Sequence, residues 1–150
     1  QNRDTVVILT EMVHDARIVR LDAKTSLDPA IGLWSGDSIG YWEEETLVVV
    51  TRNFNGLTQS FEGFGSSSSK TLTERFTRVD ANTINYEFTI DDPATFADKI
   101  TALLPMNRVQ GQLYEYACHE GNYGMANMLR AARAREANAE MDRVVNLFRR

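Results

Sequence analysis

"KTLTERFTRV", residues 70–79, and "NTINYEFTI", residues 82–90, alternate apolar and polar side chains and are separated only by Asp80 and Ala81. A period of two on both sides of a two-residue break is the pattern of paired antiparallel strands joined by a tight hairpin. In the second strand Ile84, Tyr86, Phe88 and Ile90 share one face, and Asn85, Glu87 and Thr89 share the other. In the first, Glu74 falls on the same face as Leu72 and Phe76, which turns a carboxylate toward apolar neighbours and obliges it to find a partner there.

Working outward, "TVVILTEM" (5–12) and "TLVVVTRNF" (46–54) have unbroken apolar centres, as expected for strands covered on both faces. "ARIVRLD" (16–22) and "DSIGYWE" (37–43) read as shorter strands beside them, and "KITALLPM" (99–106) and "QLYEYAC" (112–118) bring the count to about eight. Short strands at this spacing predict a mainly β protein, an antiparallel barrel of lipocalin-like or calycin-like type over residues 1–120. Glu115 shares its strand face with Leu113 and Ala117 in the same way as Glu74.

From Gly121 the period changes to 3.6, and residues 121–150 are expected to form a helix capped by Asn122. Met125, Met128, Leu129 and Ala132 form one apolar stripe; Met141, Val144, Val145 and Phe148 form a second. Sixteen residues at about 100° each set the stripes roughly 160° apart, so the helix either breaks near Asn138 or buries opposite faces in its two halves. It is expected to pack on the barrel or on a partner, and a homo-oligomer through this helix is the corresponding hypothesis. Residues 124–150 hold six Arg against three acidic residues, while the whole chain carries a net charge of -5.

That acidic balance argues against nucleic acid or an anionic membrane as the main partner, because both require basic patches. No apolar run approaches the roughly 18 residues that span a bilayer. The chain begins at Gln1 without methionine and runs at once into an apolar strand, so a processed or trimmed product is expected. A lone cysteine, Cys118, forms no internal disulfide and leaves the compartment open.

The candidate chemistry lies at strand ends. "HDAR" places His14, Asp15 and Arg17 within one turn, and an imidazole oriented by a carboxylate serves as a general acid or base near neutral pH. The plainer reading is a histidine beside a hairpin-stabilising Asp-Arg pair. On an extended strand Cys118 and His119 point to opposite faces, so they form no thiol–imidazole pair; His119 and Glu120 stand where strand becomes helix. Asp37 and Glu115 complete the acid–base set. Two histidines with acidic neighbours also admit a two-His-one-carboxylate metal site, although no ligand spacing supports it, and the sequence requires no cofactor.

Trp34, Trp42, Asn53 and Tyr114 supply stacking and hydrogen-bonding groups for a small-molecule ligand, or core in the case of the tryptophans. "NGLTQSFEGFGSSSSK" (55–70) carries Phe61 and Phe64 in a glycine- and serine-rich setting, either a lid over a barrel mouth or an ordinary hairpin loop. Gly36, Ser38 and Gly40 match G-x-S-x-G, but Ser38 leads into a strand rather than a helix, so no nucleophile elbow is expected.

"EMVHDARIVRLD", "GDSIGYWEEETLVVVTRNF", "ERFTRVDANTINYEFTIDDP" and "YEYACHEGNYGMANML" resemble a large family of bacterial proteins found in soil and environmental genomes and carried on exported precursors. The similarity runs to about residue 135. Relatives usually have Glu-Gly-Asp where this chain has Glu44 and Glu45 before Thr46, and often an acidic residue where Val50 stands. The resemblance implies the fold and an extracytoplasmic location, periplasmic or secreted, and assigns no reaction. "GYW" (40–42) is also similar to the G-x-W of lipocalin-like barrels. Two functions follow: a small-molecule isomerase, lyase or hydrolase using histidine and carboxylate chemistry at a barrel mouth, or a non-catalytic binder of a small ligand.

Overall fold

The computed structural model describes residues 1–57, 66–114, 116 and 123–147, with side chains through residue 139. It divides into two compact units, Gln1–Tyr114 and Glu115–Arg150. The first is a single seven-stranded sheet in sequential order: β1 (Thr5–Thr10), β2 (Asp15–Leu21), β3 (Asp37–Glu43), β4 (Thr46–Arg52), β5 (Thr71–Arg78), β6 (Thr83–Asp91) and β7 (Ile100–Asn107). The second contains one helix, α1 (Gly124–Leu147).

The 70–90 hairpin forms, but its connection is longer than the expected two residues: β5 ends at Arg78 and β6 begins at Thr83. Eight register pairs run from Thr71 opposite Asp91 to Arg78 opposite Ile84. The turn is closed by Val79 N–H on the Thr83 carbonyl at 3.0 Å and by Asn82 N–H on Asp80 Oδ1 at 2.7 Å.

The sheet is curled, and one side-chain contact shows it. Arg17 on β2 reaches Glu74 on β5 at 2.7 Å. In a flat sheet these strands would be three spacings, roughly 14 Å, apart. The concave face holds the core, where Val19, Leu47 and Val49 are buried and Val6, Ile8, Leu21 and Phe76 pack against them. The curl stops at a half-barrel: among the described residues no ladder joins β7 to β1.

Three further expectations are corrected. The sheet is not wholly antiparallel, because β2 and β3 pair in parallel through Val19–Ser38, Arg20–Ile39 and Leu21–Gly40. The connection 22–36 is long enough to carry the chain back to the same end of the sheet, as a parallel pair requires. Residues 112–114 and 116, the described part of the expected eighth strand, are not in a strand. Finally, β1 is not covered on both faces. As the first strand of the order it leaves Val7 and Leu9 exposed, and their neighbour Ile18 with them, whereas central β4 buries both Val48 and Val49.

Helix α1 is continuous through Asn138, so of the two alternatives the break does not occur. Met125, Met128 and Leu129 are exposed. No helix of the described residues is long and apolar enough to cross a membrane.

Candidate functional site on the concave face

The concave face has a polar end and an apolar end. At the polar end Glu74, nearly fully buried, receives Arg17 Nη2–H at 2.9 Å and the Tyr86 hydroxyl at 2.9 Å, both on Oε1. Arg17 Nη1 lies 2.7 Å from Oε2, but Oε2 has no hydrogen-bond partner among the described residues. The guanidinium still spans both oxygens of the carboxylate. Tyr86 is fixed between Phe76, its ring centroid 4.9 Å away, and Phe88, 5.7 Å away. Burial first, and then the charge and hydrogen bond of Glu74, push the Tyr86 phenol well above the ordinary tyrosine value, against a smaller opposing pull from Arg17.

These groups line a cavity of ≈ 340 Å³ together with Thr10, Asp15, Ser35, Ile8, Leu72 and Phe54. Asp15 accepts the Ser35 hydroxyl on Oδ2 at 2.7 Å and the Ala16 N–H on Oδ1 at 2.9 Å. Phe54 forms a wall whose ring centroid is 3.9 Å from Lys70 Nζ. Burial lowers the Lys70 ammonium pKa and nearby Asp92 partly offsets this. Burial alone would raise Asp92, but hydrogen bonds from Ser67 and Thr95 outweigh it and hold that carboxyl below its usual range.

The apolar end is a larger cavity of ≈ 640 Å³, lined by Val6, Ile8, Trp42, Leu47, Phe76 and Met106 among others. Ile8 borders both cavities, so they adjoin.

The sequence-derived candidates separate in space. Asp15 and Arg17 meet in the polar cavity, and Trp42 lines the apolar one. His14 is exposed in the tight turn before β2 and is not among the residues lining either cavity. Its backbone φ is 55°, next to Val13 at 65°, a left-handed conformation that is strained for a β-branched residue. Asp37 is engaged elsewhere: both carboxylate oxygens lie 2.8 Å from Arg20 Nη2, and Oδ2 also accepts Leu27 N–H. Asn53 spends its amide on the carbonyls of Asp28 and Ile31, tying down the 22–36 connection. Trp34 and Tyr114 are exposed. Ser38 is buried with its hydroxyl 2.8 Å from that of Thr51, within β3 and away from any helix. Phe61, Phe64, Glu115, Cys118, His119 and Glu120 lie outside the described residues.

Tyr86 is the site residue that sequence alternation places only in the core. A signal for its role exists in the hairpin register: it lies directly across from Phe76 and diagonal to Glu74, on the same face. Among the described residues no cluster of three or more His, Cys, Asp or Glu side chains is arranged to hold a metal ion. Comparisons with protein-family models, curated proteins and solved structures give no match.

Proposed function

We propose that the protein binds an amphipathic small molecule along the concave face, its apolar body beside Trp42, Leu47 and Phe76 and its polar head at Arg17, Glu74 and Tyr86. The observation that carries this reading is the adjacency at Ile8 of an apolar cavity of ≈ 640 Å³ and a polar one of ≈ 340 Å³. A few convergent polar groups beside a sizeable apolar cavity are the usual anatomy of a ligand site. An extracytoplasmic setting belongs to the same proposal and is supported by the family resemblance alone.

The test is a chain-length series. Each methylene buried contributes about 0.8 kcal/mol, so affinity for straight-chain alcohols from hexanol to decanol should tighten about fourfold per carbon. Trp42 fluorescence in a Trp34→Phe background reports the binding, since Trp42 lines the apolar cavity. An affinity that does not change with chain length counts against the reading.

A further inference from the structure

The polar cavity is unusual in where its protons point. Three hydroxyl side chains line it: Thr10, Ser35 and Tyr86. Thr10 donates to the Asp15 carbonyl at 3.2 Å, Ser35 to Asp15 Oδ2 at 2.7 Å, and Tyr86 to Glu74 Oε1 at 2.9 Å. Each hydroxyl has a single proton and two lone pairs, so after these bonds all three can offer a ligand only acceptors. Glu74 adds no donor either, since it is a carboxylate held by Arg17 through both oxygens. The side-chain N–H donors of the cavity are those of Arg17, whose Nη1 and Nη2 ends both lie against Glu74. Formal charge points the same way, because Arg17 at +1 against Glu74 and Asp15 at -1 each leaves -1.

We infer that the concave site selects a head group that donates hydrogen bonds and carries positive charge, an alkylammonium before an alcohol, and discriminates against carboxylate and phosphate heads. A protonated amine brings three donors and no acceptor. It matches the lone pairs that Thr10, Ser35 and Tyr86 leave toward the cavity. A carboxylate brings acceptors to a cavity of acceptors and adds like charge beside Asp15 and Glu74. This inference rests on the proposed concave-face reading.

The experiment uses three probes of matched chain on the unaltered protein: decylamine, decanol and decanoate, each below its micellar concentration, by isothermal titration calorimetry at neutral pH. Decylamine should bind roughly tenfold more tightly than decanoate, with decanol between them, since a hydrogen bond to a charged group adds about that factor. Glu74 also anchors Arg17, so the informative variant is at exposed Asp15. Asp15→Asn should narrow the decylamine-to-decanoate ratio. Decanoate binding as tightly as decylamine overturns the donor-head inference and leaves the concave site standing. Failure of all three probes to bind overturns both.

Discussion

Glu74 carries its charge on a face otherwise made of Leu72, Phe76, Tyr86 and Phe88, and an unpaired carboxylate there would be costly. The alternation of residues 70–79 makes the position of this carboxylate legible from the sequence alone. Its partner is not legible, because Arg17 is 57 residues away and meets Glu74 only after the sheet curls. Tyr86 completes the cluster and provides a pH readout. Its phenol holds its proton more tightly folded than unfolded, so its contribution to stability is complete below about pH 10 and is lost as pH rises through the raised value. In an alkaline absorbance titration, one of the five tyrosines should therefore ionise later in the native chain than in urea, and Tyr86→Phe should remove that late component. Superimposable native and unfolded titrations would contradict the burial and pairing of Tyr86.

At the scale of elements, alternation and β-branched content locate strands well and leave their direction open. The 70–90 hairpin is antiparallel because its connection is too short for a crossover, whereas nothing in "ARIVRLD" and "DSIGYWE" distinguishes a parallel from an antiparallel pair. Direction is set by the 22–36 connection and by its ties: Asn53 to the Asp28 and Ile31 carbonyls, Asp37 to Leu27 N–H, and a bridge between Leu33 and Phe54. Gly36 ends that connection at φ 70°, and a Cβ there would stand 2.6 Å from the Arg52 carbonyl oxygen. Gly36→Ala should therefore destabilise by about 2 kcal/mol or more in urea unfolding. Gly111, where an added Cβ would meet nothing within 4 Å, serves as the control, and Gly111→Ala should leave stability within about 0.5 kcal/mol. Equal effects at the two positions would mean that the crossover does not pin β3 as described. The helix shows a related limit: its two stripes are a property of sequence spacing, yet α1 runs unbroken because no proline or glycine interrupts residues 125–147.

For the molecule as a whole, seven strands curl into a half-barrel whose inner face changes from Trp42, Leu47 and Phe76 at one end to Glu74, Arg17 and Tyr86 at the other. The sequence indicates a mainly β chain and the separate ingredients of this face, including Asp15, Arg17 and Trp42. It does not indicate that these three share a surface, because the curvature that unites them comes from packing across strands distant in sequence. The most direct test is a crystal structure of the protein with decylamine. The chain should lie between Val6, Trp42, Leu47 and Phe76, with its nitrogen in the polar cavity beside Asp15, Ser35 and Tyr86. Decylamine bound instead over exposed Ile18 on the opposite face, with the concave cavities filled by water alone, would contradict the account.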